Sequence, residues 1–118
     1  VIQKEAANTD EMPLVASVID NRLAKNMRLQ MDGTLNYGEF SHVKITPQRI
    51  RTDTSYYNTY LNDGLPKEPV CVVSRDAIRA VFAPAKSEYL YFMRNKKTGL
   101  HDFARTQAEH ERNVKAQR

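Results

Sequence analysis

The sequence is short of cysteine and glycine and has no long apolar stretch, and each shortage excludes a class of protein. The single cysteine, Cys71, excludes an intrachain disulfide and a zinc site built from several thiolates. No run approaches about 18 consecutive apolar residues and no signal-peptide pattern is present, so no membrane contact is expected of this segment. With 4 Gly, 5 Pro and no biased tract, disorder and collagen-like structure are excluded. We expect one globular domain over residues 1–118.

The surplus of positive charge is small. Lys and Arg number 18 against 14 Asp and Glu, a net charge of +4, which suits a polyanionic partner such as nucleic acid, anionic lipid or an acidic cell-wall glycan. The cations are scattered, apart from Lys96-Lys97 and the last predicted helix. A nucleic-acid-binding domain that uses these two places is one alternative, and it predicts an affinity that falls steeply with salt.

The apolar spacing predicts two helices at the beginning of the chain. Val1 to Ala7 has helix-forming composition, and Glu11 to Leu23 carries apolar residues at steps of three and four, with Thr9 or Asp10 as the cap. From Arg28 to Asn62 no period is sustained and polar residues and tyrosines prevail. We predict long loops with short helical pieces there, and irregular segments of this length are commonly functional.

The second half of the chain predicts a helix, a hairpin and a final helix. Residues 74–82 form a short helix that Ser74 caps. Glu88 to Met93 and Leu100 to Ala104 are strand-like and are separated by a turn, which indicates a hairpin. A capping-box pattern opens a last helix over residues 106–118. The order of elements indicates an α+β fold.

The common phosphate, nucleophile and metal motifs are absent. There is no glycine-rich phosphate loop and no Gly-x-Ser-x-Gly elbow, and the three histidines, His42, His101 and His110, lack paired metal-ligand spacing. Neither a metal nor an organic cofactor is expected. What remains is carboxylates beside a tyrosine-rich polar region, a composition that suits carbohydrate binding.

Glu5 is the first candidate for acid–base chemistry. It lies on a mostly apolar predicted helix, where partial burial would raise the pKa of its carboxyl and keep a proton available for donation. The alternative from these features alone is a solvated glutamate on a helix surface.

Short motifs follow one another along nearly the whole chain in an order typical of one enzyme family. They are Gln3 to Ala6, Pro13 to Val18, Asn21 to Leu23, Met27 to Thr34, Tyr37-Gly38, Tyr57 to Tyr60, Gly64 to Pro66, Pro84 to Phe92, Gly99 to Phe103 and His110. In this order they resemble the catalytic domain of the YceG-like endolytic murein transglycosylases.

The resemblance implies a bacterial lyase that cuts inside nascent peptidoglycan strands and leaves 1,6-anhydro-N-acetylmuramic ends. The family's acid/base glutamate falls on Glu5, which needs no second carboxylate as nucleophile. The resemblance also implies an amino-terminal membrane helix and a LysM-like domain ahead of the catalytic region. It further implies action at the periplasmic face of the inner membrane, and partners in the cell-wall synthesis machinery.

Polar and aromatic residues of the motifs are candidates for lining a glycan groove through hydrogen bonds and ring stacking. They are Gln30, Asp32, Thr34, Tyr37, Tyr57, Asn58 and Tyr60. The alternative role for each of them is to brace a loop through hydrogen bonds. Arg22, Arg28 and Lys86 are weaker candidates for substrate carboxylates, and His101 and His110 are expected to brace the hairpin and the last helix.

Two segments depart from the family pattern. Asp32-Gly33-Thr34 stands where Asp-Pro-Thr is usual, and Pro66 to Ser74 differs from the usual Pro-Pro-Gly-containing loop. The second departure keeps a further alternative open, a peptidoglycan-binding module that has lost turnover. Gln3 also departs from the pattern, because its position is often Glu in relatives, and the protein would be inactive if that residue were the essential acid. Glu5 is preferred as the acid because Gln also occurs at the earlier position among relatives.

Overall fold

The computed structural model describes residues 1–117, which form the predicted α+β fold. Within these described residues, five helices and one antiparallel hairpin are joined by long loops that carry three 3₁₀ turns. The elements are α1 Ile2–Glu5, α2 Met12–Ala24, α3 Pro47–Thr52, α4 Arg75–Phe82, β1 Tyr91–Arg94, β2 His101–Ala104 and α5 Gln107–Ala116, with 3₁₀ turns at Thr9–Glu11, Asp32–Leu35 and Gly38–Phe40.

Helix α2 is the centre of the core. Its buried face carries Val15, Val18 and Ile19, against which α1 packs through Ile2 and α4 through its buried alanines. This burial of apolar surface is the main force that holds the helices together.

Both amino-terminal helices differ from their predicted bounds. Helix α1 ends at Glu5 because Ala6 is already extended, so the predicted helix to Ala7 is too long. The prediction of Thr9 or Asp10 as the cap of α2 is wrong, since Asn8 caps a separate 3₁₀ turn by accepting a hydrogen bond from the Glu11 N–H. Glu11 is thereby fixed at the junction between that turn and α2.

The caps predicted for the last two helices are confirmed. The Ser74 hydroxyl accepts a hydrogen bond from the Ala77 N–H, and that of Thr106 accepts one from the Glu109 N–H. Helix α5 ends at Ala116, and the predicted end at Arg118 lies outside the described residues.

The hairpin is tied to α2 by side-chain hydrogen bonds. The Asn21 amide donates to the carbonyls of Ser87 and Tyr89, each at 2.9 Å, and Arg22 Nε donates to the Leu90 carbonyl at 2.6 Å. The paired residues of β1 run from Tyr91 to Arg94, so the strand starts later than predicted. The register then places Arg94 opposite His101.

Among the described residues, none of the helices combines the length and apolarity that crossing a bilayer requires.

Candidate active site

A groove runs between α1, the Asp32–Leu35 turn, the hairpin and α5. It consists of three adjoining cavities. The central cavity, of about 320 Å³, is lined by Glu5, Val18, Arg22, Leu29, Gln30, Met31, Asp32, Tyr60, Phe92, Met93, Arg94 and His101. The α1 cavity, of about 390 Å³, shares Glu5, Asp32, Arg94 and His101 with it. The α5 cavity, also about 390 Å³, shares Arg22, Gln30, Tyr60, Phe92 and Met93 with the central cavity.

Glu5 lies where the α1 cavity and the central cavity meet. It is the last residue of α1, which buried Ile2 anchors in the core three residues earlier. The Gly33 N–H donates a hydrogen bond to Glu5 Oε1 at 2.5 Å. A Cβ at residue 33 would lie 2.6 Å from Glu5 Oε1 and 2.8 Å from the Lys4 Cβ, so only glycine allows this approach.

The environment of Glu5 favours its protonated form. Burial is the largest influence and raises the pKa of the Glu5 carboxyl, while the Gly33 hydrogen bond lowers it in part. The neighbouring Asp32 carboxylate raises the Glu5 pKa further, and His101 lowers it when its ring is protonated. The net direction is upward, so Glu5 holds its proton to a higher pH than an ordinary glutamate.

Three of the seven predicted groove residues line the groove. Gln30 and Asp32 are exposed there, and Gln30 takes a positive φ of 51°. The Tyr60 hydroxyl donates a hydrogen bond to Asp32 Oδ1. Burial, and then this bond to Asp32, raise the pKa of Tyr60, so its hydroxyl stays protonated.

Thr34 and Asn58 do not line the groove, contrary to the sequence prediction. Both side chains are fully buried. The Thr34 hydroxyl donates to the Met31 carbonyl, and the Asn58 amide donates to the carbonyls of Ile50 and Asp53, each at 2.8 Å. These residues brace the loop region, which is the alternative role that buried polar residues commonly have.

Tyr37 and Tyr57 are not among the residues that line the three cavities. Their rings stack on each other at 4.1 Å between centroids. The Tyr37 hydroxyl donates to Asp53, and that of Tyr57 donates to Glu68. The pair therefore joins loop segments rather than offering free ring faces to the groove.

His101 and Arg94 line the groove although sequence reasoning did not place them there. In the hairpin register Arg94 pairs with His101 and Phe92 with Phe103. Alternation along paired strands puts these four side chains on one face. The alternation of residues in the sequence could have indicated that these side chains share one face of the hairpin. Which face of the hairpin is turned toward Glu5 depends on the hydrogen bonds from Asn21 and Arg22 of α2, which the sequence does not show.

Gln3 faces away from the groove. It lines a separate apolar cavity of about 260 Å³ between α1, α2 and α4, where its amide oxygen accepts a hydrogen bond from the Ser74 N–H. Of the polar residues of α1, Lys4 and Glu5 line the α1 cavity, and Glu5 alone also lines the central cavity.

Comparisons with known proteins agree on one family. A model of the YceG-like family matches residues 1–116. An endolytic murein transglycosylase of Streptococcus pneumoniae is 35% identical over 119 aligned positions, which cover 97% of this chain and 22% of that protein. An endolytic murein transglycosylase of Bacillus subtilis is 36% identical over 110 positions, which cover 93% of this chain and 30% of that protein.

The fold agrees as well. The crystal structure of a YceG-like protein from Listeria monocytogenes matches with a TM-score of 0.86 and 43% identity, over 95% of this chain and 36% of that one. The chain spans less than a third of the length of the two curated relatives, at 22% and 30%. Because the family model matches nearly the whole of it, the chain belongs to the YceG-like family.

Proposed function

We propose that this chain forms the catalytic part of an endolytic murein lytic transglycosylase, with Glu5 as its acid and base. The observation that carries the proposal is a single half-buried carboxyl with a raised pKa between two cavities of one groove. A partly buried carboxyl with a raised pKa in a cleft is a common arrangement for acid catalysis.

The proposed reaction uses one carboxyl twice. Protonated Glu5 donates its proton to the glycosidic oxygen as the bond from that oxygen to C1 of N-acetylmuramic acid breaks. The Glu5 carboxylate then takes the proton of the muramyl 6-hydroxyl as O6 bonds to C1. Atoms balance without water, and the product is a 1,6-anhydro ring. The Gly33 N–H stabilises Glu5 in its carboxylate stage.

The groove is consistent with a polymeric substrate that passes Glu5. Cavities lie on both sides of this residue, and the α5 cavity extends the groove farther along the hairpin. Gln30 and Asp32 offer hydrogen-bonding groups for sugar hydroxyls and acetamido groups, and the Tyr60 and Phe92 rings offer surface for sugar rings. A glycan strand held on both sides of the cut is what internal cleavage requires.

The proposed substrate also implies where in the cell the protein acts. Peptidoglycan lies outside the cytoplasm, so we propose extracytoplasmic action. The membrane helix, the LysM-like domain and the cell-wall synthesis partners that the family resemblance implies stay predictions.

Mass spectrometry of digested glycan strands tests the function. Purified peptidoglycan is treated with the chain, with Glu5→Gln and with Asp10→Asn, a control at an exposed carboxylate outside the groove. We expect internal 1,6-anhydro ends from the chain and from Asp10→Asn, and none from Glu5→Gln. Reducing ends in their place contradict the lyase and indicate a hydrolase. Glycan binding without cleavage indicates the non-catalytic module.

A further inference from the structure

His101 connects the groove to a buried carboxylate. Its Nδ1 lies 2.7 Å from Glu11 Oε1, and its backbone N–H donates to Glu11 Oε2 at 2.7 Å. Both side chains are nearly buried, at 10% exposure for His101 and 8% for Glu11. His101 lines the central and the α1 cavities together with Glu5, whereas Glu11 lines neither.

The hydrogen bonds of Glu11 fix the tautomer of His101. Burial alone would raise the pKa of Glu11, but the two bonds from His101 and a third from the Ala7 N–H outweigh it and lower this pKa. An ionised carboxylate only accepts hydrogen bonds, so Nδ1 carries the proton. In the neutral ring the lone pair is then on Nε2.

The Nε2 edge of the ring is on the side away from Glu11, and His101 lines the central and the α1 cavities. Nδ1 and Nε2 point in roughly opposite directions, and Nδ1 points to Glu11. Within residues 1–117 no side chain or backbone group bonds to Nε2, and this atom is not sealed from solvent. The rings of Phe92 and Phe103, with centroids 5.0 and 6.4 Å away, hold the imidazole in place.

His101 Nε2 is an acceptor beside Glu5 to which no group within residues 1–117 already bonds. The Gly33 N–H is a donor that Glu5 already uses, and the Asp32 carboxylate accepts from Tyr60. Arg94 only donates. The amide oxygen of Gln30 is another uncharged side-chain acceptor in the central cavity.

We propose that His101 Nε2 accepts a hydrogen bond from a hydroxyl or acetamido N–H of the amino sugar bound beside Glu5. Glu11 is the positioning residue that holds His101 in this tautomer. The inference rests on the proposed function for the class of ligand, and it adds a substrate-contacting residue that the one-glutamate mechanism does not use.

A pair of variants separates the contact with substrate from the tie to Glu11. In His101→Asn the amide nitrogen can occupy the Nδ1 position and keep the bond to Glu11, but nothing reaches the Nε2 position. In His101→Gln the longer side chain places its amide near the Nε2 position. We expect His101→Asn to keep its thermal midpoint and to lose about 10- to 100-fold in kcat/KM for anhydro-end formation. Gln should retain more activity than Asn.

The result that overturns the inference is wild-type kcat/KM in His101→Asn. Equal losses in both variants that follow a lowered thermal midpoint also overturn it, because the role is then structural. Absence of products from the wild-type chain overturns the proposed function instead.

A binding experiment keeps the inference testable without turnover. Glu5→Gln, with labelled histidine, is titrated with uncut glycan fragments and followed by ¹⁵N NMR. We expect the His101 Nε2 resonance to move while Nδ1 stays protonated. Fragment binding that shifts signals of Tyr60 but leaves Nε2 unchanged contradicts the contact, and no binding at all contradicts both proposals.

Discussion

Two glutamates six positions apart, Glu5 and Glu11, differ in how their charge is satisfied. Glu5 Oε1 accepts one hydrogen bond, from the Gly33 N–H, and burial raises its pKa. Glu11 accepts three, from Ala7 and from the side chain and backbone of His101, and its pKa is lowered although the residue is only 6% exposed.

The difference shows that burial alone does not decide what a carboxyl does. With its charge satisfied from three sides, Glu11 joins the Thr9–Glu11 turn to strand β2 as a fixed anion. Glu5, with a single donor and a groove beside it, is suited to gain and lose a proton. A glutamate side chain therefore stabilises the fold at position 11 and is suited to acid–base chemistry at position 5.

Replacing Glu5 by glutamine should affect activity, whereas replacing Glu11 should affect stability. Glu5→Gln gives the largest expected effect. We expect it to lose about 10²- to 10⁴-fold in anhydro-end formation, because the amide cannot donate and then recover a proton. The fold should persist, as circular dichroism can check. Activity within a few fold of wild type would remove Glu5 from the mechanism.

Glu11→Gln tests the structural role of Glu11 through the free energy of unfolding. It replaces a charged acceptor of three hydrogen bonds by a neutral one, and we expect a loss of about 1.5–3 kcal/mol in the free energy of unfolding. Urea denaturation near neutral pH measures it, with Asp10→Asn as the matched control. A loss no larger than that of the control contradicts the assigned role of Glu11.

Gly33→Ala tests the close approach to Glu5. The new Cβ would lie 2.6 Å from Glu5 Oε1, so the carboxyl has to move. We expect about a tenfold loss of kcat/KM, since displacement of a catalytic group is costly, and a loss of stability of about 1 kcal/mol. Gly38→Ala is a poor control because Gly38 has a φ of +53°. Ser41→Ala, which only removes a contact to Lys4, is better matched.

The smallest effect is the pH dependence of stability. Glu5 has a raised pKa in the fold, so its contribution is full below its unfolded pKa of about 4.3 and is lost as pH rises through the folded pKa. Glu11 has a lowered pKa, so its contribution is present above about 4.3 and is lost as pH falls through the folded pKa. Glu5→Gln should therefore gain thermal stability relative to wild type as pH rises, and Glu11→Gln should lose it. Melting curves of the three proteins that shift in parallel with pH would contradict this.

Local signals predicted much of the fold. The caps at Ser74 and Thr106 were correct because capping depends on a few neighbouring residues. The predicted cap of α2 was wrong, because Asn8 caps a separate 3₁₀ turn and Glu11 takes the N-cap position of α2 without a side-chain capping bond. The family resemblance and the apolar neighbours directed attention to Glu5, whose role stays a prediction.

Side-chain direction within the loops could not be read from the sequence. Tyr60 and Asn58 share a polar motif, yet one lines the groove and the other is buried beneath the loop. The Glu11–His101 pair joins residues separated by 90 positions, so no local pattern contains it. Such contacts depend on how the hairpin is held against α2.

The most direct test of the account is a ¹³C NMR titration of the glutamate side-chain carboxyls in the wild-type chain, with Glu5→Gln and Glu11→Gln used to assign the two signals. The account predicts that the Glu5 signal titrates above the ordinary range of a glutamate and the Glu11 signal below it. If both signals titrate together, or in the reverse order, the assignment of an acid–base role to Glu5 and a structural role to Glu11 is contradicted.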